Sequence, residues 1–131
     1  MSKHFHTVVW IDHHEAKLFN FNASQYEREV VKSTHPHQHL HHKANSGDSG
    51  HALPDHDFYK HVGKAIGDAG AILVAGPSSA KQEFVSYVKV QDPALAKRIS
   101  GVETLDHPPD GTIVEFGRTF FKSDDKMRSQ T

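Results

Sequence analysis

Six of the thirteen histidines fall within Thr34–His51, THPHQHLHHKANSGDSGH, a polar stretch with two glycines near its end. His35, His37, His39, His41 and His42 crowd its first half, Lys43 follows directly, and His51 closes it. Imidazole offers a flat π face and, once protonated, a positive charge, so these residues can touch phosphates or stack on unpaired bases. Neutral imidazole is equally a favoured ligand of divalent metals, and His37, His39, His41 and His42 are the set that could close on Zn²⁺ or Ni²⁺. The third account is a solvated loop that takes up metal only adventitiously, since a His-rich tract is a compositional signal. Long loops in compact domains more often carry function than not, which puts RNA contact first, the solvated loop next and specific metal binding after it.

Other residues with chemical potential are fewer. Asp12, Glu15 and Asp106 fall at predicted strand ends, where a metal-dependent nuclease would place carboxylates. Aspartates at turns are also expected simply for local hydrogen bonding, and three or four convergent acids would be needed. The run Ala75–Lys81, AGPSSAK, feeds a strand into a helix as a phosphate-binding turn does, but it lacks the second glycine and the Lys-Ser/Thr pair of a P-loop. Helix capping is the better expectation there. His13 and His14 belong to a predicted turn and are expected to face solvent. Trp10 and the phenylalanines stand at core spacing, and no nucleophile–base arrangement can be assembled.

The 131 residues suffice for one domain with its own core, and the absence of cysteine excludes disulfides and thiolate zinc sites. Fifteen Lys and Arg against sixteen Asp and Glu leave a formal charge of −1, unlike a strongly basic nucleic-acid binder. Histidine makes that balance conditional, because imidazoles titrate near pH 6.5. No apolar run reaches membrane-spanning length and the first residues do not resemble a signal peptide, so a cytoplasmic protein without a membrane partner is expected.

The elements that must position the loop can be read from periodicity. His6–Ile11 and Ala16–Phe21 are β-branched or aromatic runs joined by a short DHHE connection, and Arg28–Ser33, with Tyr26 before it, alternates as a third strand with one wet face. Pro54 and Asp55 start a helix carrying Phe58, Val62, Ala65, Ile66 and Ala69, ended by Gly67 and Gly70. Ala71–Ala75 reads as a strand covered on both faces. Ser79 and Gln82 suggest a capping box for a helix with Ala80, Phe84, Val85 and Val88 inward. Asp92–Pro93 starts a short helix to Ile99, Gly101–Leu105 is a last strand, and Asp110 opens a helix carrying Ile113, Val114, Phe116, Phe120 and Phe121. A tail is expected from Ser123. The order β-β-β, loop, α-β-α-α-β-α predicts an α/β fold with a mixed sheet: an antiparallel meander first, then parallel crossovers flanked by helices.

Three segments carry a resemblance. AILVAGPSSAKQEFVSYV resembles the strand, Gly-Pro turn and helix in the middle domain of archaeal and eukaryotic class-1 peptide release factors and their Pelota-like relatives, with Ala75, Gly76 and Pro77 in the turn and Lys81, Glu83 and Phe84 after it. VVWIDHHEAKLFNF is similar to that domain's opening hairpin, and ISGVETLDHPPDG to its late strand and the approach to its last helix. The resemblance covers most of Thr7–Phe121 and implies a ribonuclease-H-like fold. In release factors the segment between the third strand and the first helix bears the Gly-Gly-Gln tip that promotes peptidyl-tRNA hydrolysis. Here the His-rich stretch takes that place, Gly-Gly-Gln occurs nowhere, and Ser49-Gly50-His51 is the nearest analogue.

The sequence therefore predicts a lone middle domain over residues 1–122 with a rewritten tip. It is expected to be non-enzymatic and to contact the ribosome or a structured RNA, in stalling or hibernation, through His35, His37, His39, His41, His42, Lys43 and His51, with Lys60 and Lys64 assisting. No cofactor is required in this reading, Zn²⁺ or Ni²⁺ on the loop being the alternative. An open sheet edge makes a homodimer conceivable.

Overall fold

Apolar side chains alternate along the first strands, and the two resulting faces are buried under different helices. The computed structural model describes residues 6–22, 24–33 and 56–129. β1 (His6–Ile11), β2 (Glu15–Phe21) and β3 (Tyr26–Lys32) form the meander; α1 (His56–Ile66), β4 (Ala71–Gly76), α2 (Ala80–Gln91), α3 (Pro93–Lys97), β5 (Ile99–Thr104) and α4 (Asp110–Ser129) follow. The five strands make one mixed sheet in the order β3-β2-β1-β4-β5, with β1, β4 and β5 parallel and β2 antiparallel to its neighbours.

Val9, Ile11, Leu18, Ile72 and Val74 bury one face of the sheet against Phe58, Tyr59 and Val62 of α1, Phe84 and Val88 of α2, and Leu95 of α3. Val8, Trp10, Phe19, Phe21, Leu73 and Ala75 bury the other against Ile113, Val114 and Phe121 of α4. β4 is buried throughout, as a central strand covered on both sides must be. The mixed sheet with a leading meander and flanking helices is the α/β architecture expected from the sequence.

Several boundaries differ from the periodicity reading, each for a local reason. β3 begins at Tyr26 and lies at the sheet edge with nearly every residue exposed, so both of its faces are wet and only Val31 is drawn toward the core. α1 stops at Ile66 because Gly67 adopts φ +64°, and Ala69 is buried just beyond the helix. The capping box at Ser79 does not form. Ser79 has helical dihedrals, φ −75° and ψ −8°, and its side chain caps no backbone amide; the hydroxyl instead donates to Glu83 Oε2 at 3.1 Å. Asp92 does cap α3, accepting from the Leu95 amide at 3.2 Å. α3 ends at Lys97 rather than Ile99, since Ile99 is already paired with Ile72 in the sheet. α4 continues to Ser129, past the residue where a tail was expected, in a stretch without proline or glycine to stop it.

Candidate functional site

The parallel strands β1, β4 and β5 all run toward one edge of the sheet, ending at Ile11, Gly76 and Thr104. In open α/β sheets the carboxyl ends of the strands are where ligands collect, because the connections leaving them splay to opposite faces. Ser33 and His56, the described residues that flank the histidine-rich segment in sequence, both lie at this edge. On one side the Ser33 amide donates to the His14 carbonyl at 2.8 Å, tying the end of β3 to the β1–β2 turn. On the other, His56 begins α1 with its ring 5.3 Å from that of Tyr87 on α2.

Glu83 holds the elements of this edge together. Its Oε1 accepts from the Tyr59 hydroxyl at 2.8 Å and lies 3.3 Å from His13 Nε2, while Oε2 accepts from Ser79. One carboxylate thus links α1, the β1–β2 turn and the first turn of α2. The Gly76–Pro77 turn brings these parts close: an added Cβ at Gly76 would lie 2.1 Å from the Ile11 carbonyl oxygen, so only glycine fits.

Trp10 organises the neighbouring part of the edge. Its indole N–H donates to the carbonyls of Asp106 at 2.7 Å and Leu105 at 3.2 Å, fixing the β5–α4 connection. His107 sits edge-on to the indole at 4.9 Å, with Nδ1 2.9 Å from Asp106 Oδ1 and Nε2 3.9 Å from Asp12 Oδ2. Lys17 Nζ lies 5.4 Å from the indole centroid.

The predicted site residues divide sharply. His35, His37, His39, His41, His42, Lys43 and His51 lie outside the described residues. Lys60 and Lys64 are exposed on α1 and border a groove shared with Tyr59, Tyr87 and Leu95. Asp12 serves its own turn, Oδ1 accepting from the amides of His14 at 2.8 Å and Glu15 at 2.9 Å, as local hydrogen bonding of a turn aspartate requires. Among the described residues no group of three or more His, Cys, Asp or Glu is placed to hold a metal ion, so Asp12, Glu15 and Asp106 are not drawn into a nuclease-type centre. Lys81 is buried and its ammonium donates to the Ser78 carbonyl at 2.6 Å, which removes it from any phosphate role at the Gly-Pro turn.

Sequence reasoning gave no role to Tyr87 or His107 and named Glu83 only for its resemblance, not for the contacts it makes. Glu83 and His13 are 70 residues apart and Trp10 and Asp106 are 96 apart, so no local spacing announces either contact. Among the described residues no helix is long and apolar enough to cross a membrane.

No protein-family model matches the chain. A pelota homolog from Methanoculleus marisnigri is 45% identical over 47 residues, which is 36% of this chain and 14% of that protein. Among solved structures, Pelota from Archaeoglobus fulgidus superposes with a TM-score of 0.60 at 17% identity, over 84% of this chain and 29% of that one. The archaeal translation termination factor aRF1 superposes with a TM-score of 0.55 at 15% identity, over 94% of this chain and 39% of that one. The chain thus spans well under half the length of the proteins it matches. The chain thus shares its fold with Pelota and with aRF1, and a 47-residue stretch of its sequence with a pelota homolog.

Proposed function

We propose that this domain acts in translation as a non-enzymatic factor that contacts the ribosome or a structured RNA through the segment Thr34–His51, in stalling or hibernation rather than in termination. The observation that carries this reading is the likeness to Pelota and to a translation termination factor across 84% and 94% of the chain. In that fold the histidines stand between β3 and α1, the place that the sequence resemblance gives to the Gly-Gly-Gln tip. Without Gly-Gly-Gln the tip cannot promote hydrolysis as a release factor does, whereas histidine, Lys43 and, on α1, Lys60 and Lys64 can engage phosphates and bases. Translation would place the protein in the cytoplasm.

A homodimer through β3 is disfavoured by charge. Two-fold antiparallel pairing of this strand sets Glu27, Arg28 or Glu29 opposite its own copy, or Arg28 opposite Lys32, in each of the four central registers.

The test is sucrose-gradient sedimentation of lysate from growing and starved cells, with a chelator in a parallel sample. Migration with ribosomal particles irrespective of chelator supports the proposal; a position at the top of every gradient overturns it. The rival reading is specific Zn²⁺ or Ni²⁺ binding by His37, His39, His41 and His42. Calorimetry separates the two, since a built metal site gives a defined stoichiometry and an adventitious tract does not.

A further inference from the structure

α1 and α2 pack over the same face of the sheet, and two adjoining hollows run between them. One, of about 410 Å³, is bordered by His56, Gln82, Ser86 and Tyr87; the other, of about 340 Å³, by Lys60, Lys64, Tyr87 and Gln91. Tyr87 and Gln91 line both, so the two form one groove with an aromatic ring at its middle. Tyr87 is held from behind: its ring lies 6.0 Å from that of Tyr59, and Tyr59 is pinned by its hydroxyl to Glu83. His56 approaches from the side, leaving Tyr87 only partly buried.

Two cations stand along one wall of this groove. Lys60 and Lys64 follow one another four residues apart on α1, a rise of about 6 Å, and neither forms an ion pair among the described residues. Glu83 and Asp92 line the groove as well, each holding a neutral donor. Glu83 accepts from Tyr59 and Ser79, and Asp92 holds the Leu95 amide; Asp57 is exposed in the first turn of α1. A supported aromatic ring flanked by lysines and amide side chains suits a base stacked on Tyr87 with its phosphates on Lys60 and Lys64.

We propose that this groove is a binding site for unpaired RNA, with Tyr87 as the stacking surface and Lys60 and Lys64 as phosphate contacts. The inference rests on the translation reading and names the partner's form: single-stranded, because a base within a duplex cannot present its face to Tyr87.

The test is fluorescence anisotropy of the full chain with a short fluorescein-labelled single-stranded RNA of mixed sequence, across a salt series. Lys60→Gln with Lys64→Gln should reduce the magnitude of the slope of log affinity against log salt by about 1.4, two contacts at about 0.7 each. Tyr87→Ala should weaken binding about tenfold, and Tyr87→Phe, which keeps the ring, should bind as wild type. Circular dichroism melts establish that each variant is folded; if Tyr87→Ala is not, the lysine pair and its slope decide. RNA binding by the wild type with no change in the lysine variant overturns the groove and leaves the translation reading standing. Ribosome association without any affinity for the labelled strand also overturns the groove alone. Equal affinity for a duplex of the same sequence overturns the single-strand assignment, and absence of both RNA and ribosome binding overturns both proposals.

Discussion

Replacing Gly76 by alanine should destabilise the domain severely, and the structure says by how much and through which atom. A Cβ at Gly76 would stand 2.1 Å from the Ile11 carbonyl oxygen, where ordinary contact begins at 3.4 Å. The two must therefore move about 1.3 Å further apart, and the atom in the way is backbone in the central strand of the sheet. Gly76 also accepts from the Leu105 amide at 2.9 Å, so a displaced β4 strains β5 as well as β1. Overpacking of a core commonly costs 1–3 kcal/mol, and a clash with backbone belongs at the upper end, about 3 kcal/mol. At roughly 4 °C per kcal/mol for a chain of this length, the midpoint should fall by about 12 °C. Thermal melts followed by circular dichroism and by the fluorescence of the sole tryptophan measure it. Two other glycines calibrate the result, because neither has an atom within 4 Å of an added Cβ. Gly111→Ala, within α4, should stabilise by up to about 1 kcal/mol, while Gly67→Ala, at φ +64°, should lose about 1 kcal/mol to backbone strain alone. A Gly76→Ala melt within about 2 °C of wild type, roughly half a kcal/mol, would refute the close approach of β1 and β4 at this turn.

Other perturbations follow from the edge of the sheet. Trp10→Phe removes the indole bonds to Leu105 and Asp106 and leaves their carbonyls unmatched, for a loss of about 1–2 kcal/mol by urea titration monitored with circular dichroism. Tyr59→Phe and Glu83→Gln should be non-additive, with a coupling of about 1 kcal/mol in a double-mutant cycle, because a direct 2.8 Å bond connects the two side chains; additivity would mean that each acts elsewhere. Arg28→Ala should change stability by less than about 1 kcal/mol, since its 2.8 Å pair with Asp110 is largely exposed.

The fold was largely legible because its signals are local. The β-branched and aromatic run HTVVWI marks a strand, the all-apolar AILVA one buried on both faces, and Asp92–Pro93 marks a helix start by the chemistry of two adjacent residues. Where a local pattern misled, a competing contact explains it: Ser79 fits a capping box by type, but its helical backbone turns the hydroxyl toward Glu83 instead. The site was less legible. The composition of Thr34–His51 points to chemistry without fixing a geometry, whereas Glu83, Tyr87 and His107 acquire their surroundings only when distant segments meet. Lys60 and Lys64 were readable as cations, but the ring between them and the far wall of their groove was not.

The most direct measurement of the central claim is pelleting of purified ribosomes with the wild-type chain and with a variant in which His35, His37, His39, His41 and His42 are all alanine, at physiological salt with chelator present. The wild type should pellet and the variant should stay in the supernatant with an unchanged melting curve; equal pelleting of the two, or of neither, would refute ribosome contact through these histidines.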